Sequence, residues 1–76
     1  MTIGFILLTI NENNTQNIYK ELNKSPNITE IYNLYGEYDL LMKINAETTE
    51  QLGRIIFDTI QSLEGVTSTK TMISTL

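Results

Sequence analysis

A chain of 76 residues and 8.7 kDa has room for one small domain, residues 1–76. A domain this short buries only about 60–65% of its unfolded surface, so it leans on disulfides, a metal or association with copies of itself. The chain has no cysteine and no histidine. Disulfides, zinc and haem ligation, thiol nucleophiles and histidine acid–base chemistry are therefore excluded, and association is the support that remains. Five basic against nine acidic residues give a net charge of −4 and a pI near 4.5, and direct binding to nucleic acid is not expected from one arginine and four scattered lysines.

The apolar run from Ile3 to Ile10 is too short to span a membrane, lacks the marks of a leader, and reads as a buried strand of a cytoplasmic protein. Both parities are apolar: Ile3, Phe5 and Leu7 on one face, Ile6, Leu8 and Ile10 on the other. Asn13 or Asn14 then caps a helix whose stripe is Ile18, Tyr19 and Leu22, and Ser25-Pro26 stops it by about Lys24. A second strand runs from Ile28 to Tyr35. Gly36-Glu37 suits a two-residue type II′ hairpin, and Tyr38 to Asn45 is the third strand. Thr48 or Thr49 caps a second helix carrying Leu52, Ile55, Ile56, Thr59, Ile60 and Leu63 at helical spacing. Gly53 within it implies close packing on the sheet, and Gly65 supplies the residue just past its end. Val66 to Leu76 is the last strand, rich in Thr and Ser.

The order β-α-β-β-α-β specifies an α+β ferredoxin-like sandwich, a four-stranded antiparallel sheet with two helices on one face. The helices cover one face only, yet the first strand is apolar on both, and Leu41 also points away from the helices. A second copy laid sheet against sheet would cover that face, the dimeric α/β-barrel arrangement.

Chemistry gathers at the hairpin Gly36-Glu37-Tyr38-Asp39, where two carboxylates and an aromatic meet at a tight turn. An ordinary solvated turn has the same composition. A carboxylate at Asp39, partly desolvated at an oligomer contact, would want a cationic partner such as a ligand ammonium. Thr67 to Thr71 offers hydroxyls, but threonine also suits an edge strand for propensity alone. No nucleophile with an adjacent base is visible, so no catalytic residue is assigned. The lone Arg54 is not placed for an acylphosphatase-like phosphate cradle, and the paired cysteines of a metallochaperone are missing. No metal or cofactor is expected.

The run Gly36-Glu37-Tyr38-Asp39-Leu40, followed by Leu63-Glu64-Gly65-Val66 and Thr69-Lys70-Thr71, resembles the effector (RAM) domain of the Lrp/AsnC transcriptional regulators over essentially the whole chain. The resemblance implies dimers paired through their sheets, assembly of dimers into rings, often octamers, and a free amino acid bound between dimers near the hairpin. It carries Gly36, Glu37, Tyr38 and Asp39 onto the ligand-binding turn, with Asp39 on the ligand's α-ammonium and the turn's backbone N–H groups on its α-carboxylate. Thr69, Thr71, Met72, Ile73 and Ser74 would flank the pocket, with Thr49 beside it. Full-length regulators carry an N-terminal helix-turn-helix, whereas this chain starts at the first strand of the effector domain. The expectation is therefore a stand-alone module without its own DNA-binding helix, acting by co-assembly with a full-length regulator. Two other classes compete with this non-enzymatic sensor: a small dimeric α/β-barrel enzyme acting on a hydrophobic metabolite, and a ligand-free interaction module.

Overall fold

The computed structural model of the chain describes residues 1–61 and 63–75. In chain order they form β1 (Thr2–Ile10), a single 3₁₀ turn (Glu12–Asn14), α1 (Thr15–Leu22), β2 (Ile28–Asn33), β3 (Leu40–Ala46), α2 (Thr49–Gln61) and β4 (Val66–Thr75). The expected end of the last strand at Leu76 lies outside the described residues. The strands make one antiparallel sheet in the order β2-β3-β1-β4. Each helix thus joins two parallel strands across a third: α1 carries the chain from β1 to β2 over β3, and α2 from β3 to β4 over β1. This is the ferredoxin-like α+β fold.

Residues two apart share a sheet face, and the burial follows that rule. Ile6 and Leu8 of β1, with Leu40, Met42 and Ile44 of β3, are buried under Ile18 and Leu22 of α1 and Leu52 of α2. Ile3, Phe5 and Leu7 point the other way and are only half-buried, as is Leu41. The register sets Phe5 opposite Lys43 on β3 and Met72 on β4, and Leu7 opposite Leu41 and Lys70. With Tyr32 beside Leu41, these residues make a mostly apolar band across all four strands on the face opposite the helices.

The helix ends refine the sequence expectations. Asn14 stands at the N-cap position of α1 as expected, but its side chain makes no capping bond there; the side-chain cap belongs to the preceding 3₁₀ turn, where Asn11 accepts the Asn13 N–H at 3.2 Å. At α2 the cap is Thr48, whose Oγ1 accepts the Gln51 N–H at 3.1 Å, while Gln51 Oε1 accepts the Glu47 N–H at 2.8 Å. The pair closes a reciprocal cap, with the return bond shifted one residue outward. Gly65 has φ +99 but stands in the turn before β4, four residues past the end of α2, so it is not the residue next to the helix end. It is glycine because the Asn14 side chain occupies the place of a Cβ and because its φ is positive.

Gly53 corrects a second expectation. It is exposed, and a Cβ built there meets nothing within 4 Å. The close approach of helix to sheet belongs instead to Gly4, where a Cβ would lie 3.0 Å from Leu52 Cδ1. Gly53 therefore carries only the entropic cost of glycine inside a helix. Gly53→Ala is expected to stabilise the fold by about 0.5–1 kcal/mol. Urea unfolding should show a higher midpoint with an unchanged slope.

Candidate functional site

The hairpin between β2 and β3 is longer than the sequence suggests. The ladder ends at the pair Asn33 and Leu40, so neither strand reaches Tyr35 or Tyr38. One further bond, Leu34 N–H to the Asp39 carbonyl at 2.9 Å, closes an arch over residues 34–39. Gly36 has φ +148, a value only glycine adopts easily, but far from the roughly +60° of a type II′ turn. An exposed arch replaces the tight turn because Tyr35 faces solvent completely and does not continue the buried parity of the strand.

Within this arch Gly36, Glu37 and Asp39 are exposed and Tyr38 is half-buried. Asp39 is the member with structural ties. Its N–H donates to the Leu8 carbonyl at 2.8 Å, and its Oδ2 accepts the Ile10 N–H at 2.8 Å. A cleft of about 220 Å³ lies between the arch, at Asn33, Tyr35 and Asp39, and the start of α1, at Glu12 and Thr15. Sites that enclose a small molecule usually exceed about 300 Å³, and this cleft is smaller.

The remaining predicted residues divide into groups. Thr69 pairs with Leu8, which pairs in turn with Leu40, so Thr69 shares a row with the base of the hairpin. Ser74 pairs with Ile3, about 17 Å further along the strand. Strand alternation also places Thr69, Thr71 and Ile73 on the helix side and Met72 and Ser74 on the open side. All five are exposed. Thr49 opens α2 at the far end of β3 from Asp39, about 20 Å away along the strand. Within one chain, then, the fold gathers the hairpin and the first part of β4 but not Ser74 or Thr49.

Two features escaped the sequence reading. At the start of β4 the register slips between Thr9 and Ile10, which sets Thr67 and Ser68 both against Thr9. Thr9 Oγ1 lies 2.6 Å from both hydroxyls. A bulge of this kind has no signature in a run of Thr and Ser. At the other end of the sheet, Met1, Asn27, Asn45, Ala46, Glu47 and Gln51 line a larger cleft of about 410 Å³. Asn45 Oδ1 is buried there without a hydrogen-bond partner among the described residues. None of the predicted site residues lines that cleft.

On the open face Glu30, Tyr32 and Lys43 form one cluster. Tyr32 Oη donates to Glu30 Oε1 at 2.7 Å, and Lys43 Nζ lies 3.4 Å from Glu30 Oε2. The tyrosine bond first, and then the lysine, hold the Glu30 carboxyl below its ordinary value, while the same bond and the carboxylate charge raise the Tyr32 phenol. The stabilisation from Glu30 is therefore complete above the unfolded carboxylate pKa and fades as pH falls through the lowered folded one. That from Tyr32 is complete below about pH 10 and fades as pH rises through its raised value. Both groups are solvated, so the effect on stability is small. Titration is the sharper readout: in Glu30→Gln the Tyr32 phenol should ionise at lower pH, as followed by its ring resonances in an NMR titration.

Among the described residues no group of three acidic, histidine or cysteine side chains is placed to hold a metal ion. No helix there is long and apolar enough to cross a membrane.

The Lrp/AsnC ligand binding domain matches residues 3–75. An uncharacterized HTH-type transcriptional regulator of Pyrococcus abyssi is 33% identical over 76 residues, covering 96% of this chain and 51% of the relative. The HTH-type transcriptional regulator FL11 of Pyrococcus furiosus is 35% identical over 71 residues, 93% of this chain and 46% of that protein. The chain spans about half the length of these curated relatives. Among solved structures, the hypothetical protein PHS023 of Pyrococcus horikoshii superposes with a TM-score of 0.90 at 32% identity, over 100% of this chain and 92% of that one. With the family matched over nearly the whole chain and regulators of that kind above 30% identity, the chain belongs to the Lrp/AsnC ligand-binding (RAM) domain family.

Proposed function

We propose that this chain is a non-enzymatic effector module that binds a free amino acid and acts as a self-associated regulator in the cytoplasm. Two copies pair through their open sheet faces, and dimers assemble further, into octameric rings in the fullest form. The hairpin 36–39 of one dimer then meets a surface of another, and Thr69, Thr71, Met72, Ile73, Ser74 and Thr49 flank the shared pocket from the copies that meet there. Asp39 faces the ligand's α-ammonium, and the arch's backbone N–H groups face its carboxylate. Co-assembly with a full-length regulator of the same family supplies the contact with DNA, which an acidic module does not make itself.

The observation that carries this reading is the uncovered apolar band of Ile3, Phe5, Leu7, Leu41, Tyr32 and Met72 across the sheet. A small domain gains little by exposing such a band and much by covering it with its own copy. The small cleft at the hairpin and the separation of Thr49 and Ser74 from Asp39 support a pocket completed by other copies. The regulatory role is supported by the relatives named as transcriptional regulators.

A thermal-shift screen against the twenty amino acids tests it. Near 100 times Kd the bound amino acid adds about 2.7 kcal/mol to the folded state, a rise of several degrees. No rise with any of them at millimolar concentration would remove the effector reading.

A further inference from the structure

The arch over residues 34–39 has little to hold it in place. Tyr35, Gly36 and Glu37 are exposed, and the β2–β3 ladder stops below them. Asp39, at its last position, bonds to both sides of Thr9: the backbone N–H to the Leu8 carbonyl and the carboxylate Oδ2 to the Ile10 N–H, each at 2.8 Å. The β1–β3 ladder ends at the pair Leu8 and Leu40, so the Ile10 amide, two residues on and facing the same side as the Leu8 carbonyl, has no ladder partner and turns to the side chain instead. Glu37, the other carboxylate of the arch, makes no such bond among the described residues. The end of β1 is thereby tied to the hairpin on one side and, through Thr9 with Thr67 and Ser68, to β4 on the other.

We infer that Asp39 is a positioning residue for the effector turn, its Oδ2 latching the arch to β1 through the Ile10 amide and leaving Oδ1 alone to face a ligand ammonium. The second half of this statement rests on the amino-acid-binding reading above; the latch does not. A carboxylate committed in this way contributes one charge-assisted bond to the ligand instead of a two-oxygen clasp. It also fixes the arch before any ligand arrives, which lowers the ordering cost of binding.

Asp39→Asn and Asp39→Ala separate the two duties. Asparagine keeps an acceptor for the Ile10 N–H but loses the charge, whereas alanine loses both. Amide hydrogen exchange followed by NMR reports the latch at Ile10, with the core amide of Ile6 as the reference for global unfolding. In Asp39→Ala the Ile10 amide is expected to exchange about tenfold faster relative to Ile6, and in Asp39→Asn to stay near the wild-type ratio. Calorimetric titration with the amino acid found in the screen should show affinity lowered by at least about tenfold in both variants. An unchanged Ile10 to Ile6 ratio in Asp39→Ala would overturn the latch, as would an equal acceleration of both amides. Full affinity in Asp39→Asn would overturn the role of Oδ1. If no amino acid binds the wild-type protein, the effector reading fails by itself and the exchange ratio still decides the latch.

Discussion

Ile6→Ala is expected to remove about 2–5 kcal/mol of folding free energy. A chain of 76 residues holds roughly 4–11 kcal/mol in all, at 0.05–0.15 kcal/mol per residue. The loss is large because Ile6 is completely buried, flanked in the sheet by Met42 and Thr71, in one buried cluster with Ile18, Leu22 and Leu52 of the helices. Neighbouring strands hold it on both sides within that cluster, so the surroundings collapse little into the space it leaves. The thermal midpoint should fall by roughly 10–30 °C at fixed protein concentration. A drop of only a degree or two would mean that the centre of the core lies elsewhere.

One residue earlier the expected result is different in kind. Phe5→Lys should leave the fold intact and break the association. Phe5 faces away from the helices, between Lys43 and Met72, so lysine there disturbs none of the buried cluster. In a dimer paired through these faces it buries an ammonium beside the ammonium of Lys43, and two-fold symmetry doubles the effect. An uncompensated buried charge costs about 3–5 kcal/mol, which weakens association by more than a hundredfold. Sedimentation should find the variant at the mass of one chain, with a far-ultraviolet dichroism spectrum like that of the wild type. A variant that stays associated would move the interface to another surface.

This contrast between neighbours is the part of the fold most legible in the sequence. Period-two patterning separates Ile3, Phe5 and Leu7 from Ile6 and Leu8, and helical spacing places Leu52 over the sheet, because burial acts on every position of an element in the same way. What depended on a single tertiary contact was not legible. Gly53 and Gly4 look alike as letters, yet only Gly4 lies under a helix side chain. Gly65 has the positive φ that its type suggests, but its reason is Asn14, fifty-one positions away in sequence. Asn14 holds the N-cap position of α1 without a side-chain bond, and the capping side chain is that of Asn11, because a 3₁₀ turn precedes the helix. At the candidate site, residue types marked the hairpin and Asp39, but the type II′ turn became an open arch. The bond from Ile10 to Asp39 spans 29 positions, and no local pattern encodes it. The stretch from Thr69 to Ser74 reads as one segment in sequence, whereas strand geometry sends alternate members to opposite faces.

Covering of the open sheet face by a second copy underlies both the shared pocket and the regulatory reading. Sedimentation equilibrium of the wild-type protein at micromolar concentration tests it most directly. A mass of at least twice 8.7 kDa is the predicted result; a well-folded species at 8.7 kDa would contradict it.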